Sequence, residues 1–117
     1  MLFFYKLRGD KVEISRWNIE KNFGYKPITT FWEDFSIAEK FGIDAIKNTY
    51  NKVFNEFKDN YKYLTELCMV LNHKLWSYYE TNQIYGNIYY DLYEKTNSYA
   101  LDNLKDEEFS YYYDVTN

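Results

Sequence analysis

A chain of 117 residues that is 46% hydrophobic and 23% aromatic is too apolar for a disordered solvating segment and long enough for one core. Its single cysteine, Cys68, excludes an internal disulfide and a cysteine-built metal cluster, and a net charge of −4 with only two arginines argues against direct nucleic-acid binding through a basic stripe. One proline and four glycines leave few chain breakers, which favours long helices over a many-turned β sandwich.

The first segment, residues 1–28, predicts a short β-hairpin and loop. Apolar residues alternate at Tyr5/Leu7 and Val12/Ile14 about a turn at Gly9-Asp10, and Pro27 turns the preceding residue away from helix. The start "MLFFYKLRGD" lacks the basic leader and long apolar stretch of a signal peptide, and no apolar run approaches the roughly 20 residues of a membrane span. The expected setting is cytoplasmic, with no membrane contact.

Residues 30–105 carry helical periodicity. Thr30 and Glu33 have capping-box spacing, Phe31, Phe35 and Ala38 follow at i, i+4, i+7, and Gly42 suits a helix stop. Asp44 is the expected cap of a second helix with the stripe Ile46, Tyr50, Val53, Phe57. A third helix, from about Tyr61 to Thr81, has the stripe Leu64, Leu67, Cys68, Leu71, Leu75, Tyr78, widened by Met69, Val70 and Trp76. Apolar around most of its circumference, it is the expected central helix. A fourth, from about Gln83 to Lys105, has two adjacent stripes, Ile84-Ile88-Leu92-Tyr99 and Tyr85-Tyr89-Tyr93-Ala100. Residues 106–117 form an acidic, Tyr-rich end with a helical turn at most. The fold class is therefore mainly α (α+β): an N-terminal hairpin and a bundle of about four helices, in a single domain over residues 1–117.

The 15 tyrosines have two explanations. Phe, Tyr, Asn, Lys and Ile make up 56 of the 117 residues, and all five have codons whose first two bases are only A or T. Base composition thus accounts for much of the tyrosine count, and only position is informative. Ten of the tyrosines lie from Tyr78 onward, where Lys95 and Lys105 face eight acids. Tyr85, Tyr89 and Tyr93 lie beside the Ile/Leu stripe and are expected at the core or its edge. Tyr90 shares a face with Asn87, Asp91, Glu94 and Asn97, and Tyr111, Tyr112 and Tyr113 cannot all be buried because adjacent residues diverge.

No reaction is specified. Cys68 and His73 lie on different faces of one helix, and there is no second His or Cys to build a zinc site. The glycines at 9, 24, 42 and 86 form no phosphate-binding loop, and "RGD" at 8–10 is a turn sequence. No catalytic, cofactor or metal residue is expected. Residues 36–54 resemble a helix-turn-helix, with Asn48 where an apolar packing residue is usual. The recognition face would be Lys47, Asn48, Asn51 and Lys52.

Residues 29–80, through "TTFWEDF", "EKFG" and "YLTEL…LNHKLW", resemble a family of short uncharacterised proteins encoded by phages and mobile elements of Gram-positive bacteria. The resemblance implies a genomic setting in which accessory genes often encode inhibitors of host defence, anti-CRISPR proteins among them. The expected function is a non-enzymatic inhibitor that binds a host protein, such as a CRISPR-associated or other nucleic-acid-handling defence effector. The expected contact surface is Tyr90, Asp91, Glu94, Glu107, Glu108, Tyr111, Tyr112, Tyr113 and Asp114, because tyrosine supplies broad contact area with few rotors and carboxylates suit a basic partner. The alternatives are a small DNA-binding regulator using residues 36–54 and a self-associating assembly protein, including a homodimer.

Overall fold

Among the described residues the longest buried run, Leu64–Leu71, belongs to a helix that touches every other helix of the bundle. The computed structural model describes residues 28–117. Among them are five helices and no strand: α1 (Ile28–Glu39), α2 (Ile43–Phe57), α3 (Tyr61–Tyr78), α4 (Gln83–Asn103) and α5 (Asp106–Thr116). The segment 1–28, expected as a hairpin and loop, lies outside the described residues except for Ile28, which already belongs to α1.

The apolar periodicity of α3 explains its central position. Leu64, Leu67, Cys68, Met69, Val70, Leu71 and Leu75 are all buried, and α1, α2, α4 and α5 pack around them. Each fully buried Leu, Val or Met of this kind contributes about 1.5–3 kcal/mol relative to leaving it exposed. The widening of the stripe stops short of Trp76, which is 61% exposed and lies against Tyr79 at 5.0 Å. Ile84 on α4 is likewise exposed, so the core-facing side of α4 is centred on Tyr89, Leu92, Thr96 and Ala100. The Ile84 stripe fails at its first member because the chain is still leaving the α3–α4 turn there.

Local chemistry sets the ends. Asn60 caps α3 by accepting from the Lys62 and Tyr63 amides at 3.0 and 3.4 Å, and Asn82 caps α4 by accepting from Tyr85 at 3.2 Å. The helix α1 starts at Ile28, two residues before the Thr30 expected as its cap. The N-cap of α2 is Gly42 rather than Asp44, whose carboxylate sits in the first turn where the helix dipole favours it.

Gly42 also ends the connection from α1. Its φ of 111° and ψ of −174° fall in a region essentially reserved for glycine. A Cβ there would meet no atom within 4 Å, so the constraint is purely conformational. Gly42→Ala is expected to lower the unfolding free energy by about 1–3 kcal/mol, read from the denaturant midpoint with an unchanged slope.

Residues 106–116 form a full helix rather than a turn. Asp106, Glu107 and Glu108 occupy its first turn, and Glu108 accepts from the Lys105 amide at 3.1 Å. Phe109 and Tyr112, three apart, then cover a second apolar cluster of Leu64, Cys68 and Ala100. The acids that read as a solvated tail are the start signal of α5.

Candidate functional site

Two polar clusters are built into the core. The first cluster joins α1, α3 and α4. Trp32, Ser36 and Glu39 follow at i, i+4, i+7 on α1 and present one face to Lys74 of α3. Lys74 is 3% exposed; its Nζ donates to Ser36 Oγ at 2.6 Å, pairs with Glu39 Oε2 at 3.2 Å and sits 3.9 Å from the centroid of the Trp32 ring. Glu39 also accepts from the Tyr89 hydroxyl at 2.6 Å, and its backbone carbonyl accepts from Tyr85 at 3.1 Å. Burial pushes the Lys74 ammonium below its ordinary range, and the Glu39 carboxylate opposes that shift. Burial and the same carboxylate raise Tyr89 and Tyr78.

The second cluster joins α2, α3, α4 and α5. Tyr112 donates to Asn97 Oδ1 at 2.5 Å, and the Cys68 thiol donates to the same oxygen at 3.4 Å. Thr96 gives its hydroxyl proton to the Leu92 carbonyl, so Tyr50 is the donor in the 2.9 Å contact with Thr96 Oγ1. Burial pushes Tyr50 and Cys68 up to about 12 and raises Tyr112 further. A thiol held this high is a poor nucleophile, in keeping with a packing role. His73 is half-buried on the same helix.

The predicted contact residues divide into three groups. Tyr90 is 50% exposed on α4, with Asp91 and Glu94 exposed beside it; on α5, Glu107, Tyr113 and Asp114 are exposed. Tyr111 is half-buried with its ring edge-on to Tyr61 at 5.6 Å, and Glu108 is half-buried at the start of α5. Tyr112 is withdrawn from the surface altogether, because its position three residues after Phe109 turns it onto Cys68 and Asn97. Tyr85 and Tyr93 are half-buried and Tyr89 is buried, at the core and its edge as their phase requires.

In the α1–α2 hairpin, which resembles a helix-turn-helix in sequence, Ile46 and Tyr50 are buried, and Lys47, Asn48, Asn51 and Lys52 face outward. A cleft of about 340 Å³ runs along this pair, lined by Asp34, Ile37, Thr49, Lys52, Val53 and Glu56.

The Glu39–Lys74 network was not anticipated. Its sequence signal is Lys74 itself, which occupies the i+7 position of the stripe Leu67, Val70, where an apolar residue belongs. Among the described residues no group of three or more His, Cys, Asp or Glu could hold a metal ion, and no helix is long and apolar enough to cross a membrane. Comparison of the chain with protein-family models, curated proteins and solved structures gives no match.

Proposed function

We propose that this protein acts by binding a partner protein through the acidic, tyrosine-bearing outer face of α4 and α5. The observation that carries this reading is the sorting of the tyrosines. Most of the described tyrosines are spent on the core and its edge, whereas Tyr79, Tyr90 and Tyr113 stay half in solvent. Of these, Tyr90 and Tyr113 are each adjacent in sequence to an exposed aspartate, and Tyr79 of α3 instead lies against Trp76. An aromatic ring with a carboxylate beside it suits a basic, groove-bearing protein surface: the ring supplies contact area and the charge steers the encounter. In the mobile-element setting implied by the resemblance of residues 29–80, that partner is a host defence effector whose basic surface handles nucleic acid, with a CRISPR effector as the leading instance. The chain would then be a stoichiometric inhibitor rather than an enzyme.

The test is affinity capture from host lysate followed by titration of the captured protein with pure wild-type chain and with Tyr90→Ala and Glu94→Lys. A saturable 1:1 complex is expected, weakened about 30-fold by the loss of a hot-spot tyrosine and weakened further by salt. A complex indifferent to both substitutions would remove this surface from the function.

A second reading has its own observation. The outward face of α2, with Lys47, Asn48, Asn51 and Lys52, has the residue types that contact phosphates and adenines. Asp44 and Glu56 stand exposed on the same helix and oppose a phosphate backbone. A gel shift with the neighbouring promoter DNA at low salt decides it; the absence of a shift eliminates DNA binding.

A further inference from the structure

We propose that the cleft between α1 and α2 is a second binding site, which takes an arginine or lysine residue of a polypeptide. It is distinct from the α4–α5 surface, and three features of its lining specify the occupant. Ile37 and Val53 make an apolar floor, the first 56% exposed although it is a large aliphatic side chain. Asp34 on α1 and Glu56 on α2 line the cleft, one carboxylate from each helix. Thr49 and Lys52 supply a hydroxyl and an ammonium along the α2 wall.

Each lining group has a counterpart in one basic residue of a peptide. The two carboxylates would receive the guanidinium or ammonium head, and the aliphatic stem would lie on Ile37 and Val53. Thr49 and Lys52 are left for the backbone carbonyl, which a simple polyamine does not possess. Asp34, Glu56 and Lys52 form no ion pair within 4 Å with one another, so all three are available to an incoming ligand. A volume of about 340 Å³ is at the lower end for ligand clefts and matches one residue with its flanking peptide groups.

The experiment is an NMR titration of the full chain with the blocked dipeptide acetyl-leucyl-arginine amide, with spermidine run in parallel. The expected result is saturable shifts centred on the amides of Ile37, Thr49 and Val53, at a millimolar dissociation constant typical of a ligand of about 20 non-hydrogen atoms on an open cleft. Asp34→Asn combined with Glu56→Gln should weaken the dipeptide about five- to tenfold, and Lys52→Met should weaken the dipeptide but not spermidine. Lys52 and Glu56 are exposed and Asp34 is half-buried, and both variants are checked for an unchanged thermal midpoint. No saturation, shifts spread over the α4–α5 acids instead, or spermidine binding as tightly as the dipeptide would overturn the proposal. Glu94→Lys, which tests the α4–α5 surface, should leave the dipeptide titration unchanged, so the two sites succeed or fail separately.

Discussion

Replacing Glu39 by alanine should cost this fold about 3–5 kcal/mol, because it strands the Lys74 ammonium in a site with almost no access to water. The Tyr89 hydroxyl loses its acceptor in the same step. Lys74→Met should be much milder, since a thioether of similar length fills the space against Trp32 without a charge to satisfy. The combination Glu39→Ala with Lys74→Met should recover much of the loss of Glu39→Ala, because replacing both partners of a buried pair removes two desolvation costs at once. The measurement is a double-mutant cycle by chemical denaturation. Additive losses would mean that the pair is not coupled and that Ser36 and Trp32 alone carry Lys74.

Alkaline pH should unfold the protein cooperatively between about pH 10 and 12, and not merely ionise its tyrosines. Tyr50, Tyr89, Tyr112 and Cys68 are all raised above their ordinary values, chiefly by burial. The unfolded chain releases these protons at ordinary tyrosine and cysteine pH while the native state retains them. Stability is therefore complete below the ordinary cysteine value of about 9 and falls as pH rises, first through Cys68 and from about pH 10 through the tyrosines, by about 1.4 kcal/mol per pH unit for each group in its window. Lys74 works in the opposite sense, because its depressed value lets the native state shed a proton first. One group does not offset four, and an ordinary stability of about 5–15 kcal/mol is exhausted within two pH units. Tyrosinate absorbance and far-ultraviolet circular dichroism should change together. Gradual ionisation with the helical signal intact would show that these hydroxyls reach water without unfolding.

Helix existence was legible in the sequence because the apolar spacing recurs over many turns, and the central place of α3 followed from the width of its stripe. The ends were less legible. Thr30 and Asp44 have the residue types of caps, but one lies inside a helix and the other in a first turn. The α5 helix was hidden because its signal is electrostatic: three acids at its start look the same as a solvated tail until Phe109 and Tyr112 find Leu64 and Cys68. The site divided for the same reason. Helical phase separates Tyr90 from Tyr89, a local matter, whereas the burial of Tyr112 depends on two helices that the sequence does not show meeting it.

The hydroxyls inside the bundle have one more effect. A slip of one turn, about 5.4 Å, can re-mesh the apolar ridges and grooves of two packed helices with little change in contact area. Here Tyr50 keys α2 to Thr96 of α4, Tyr89 and Tyr85 key α4 to Glu39 of α1, and Tyr112 keys α5 to Asn97. A slip of any one helix would break its bond and bury both halves unsatisfied. The phenols behave as locating pins, so a chain crowded with tyrosine by its base composition acquires a single permitted alignment from the same residues.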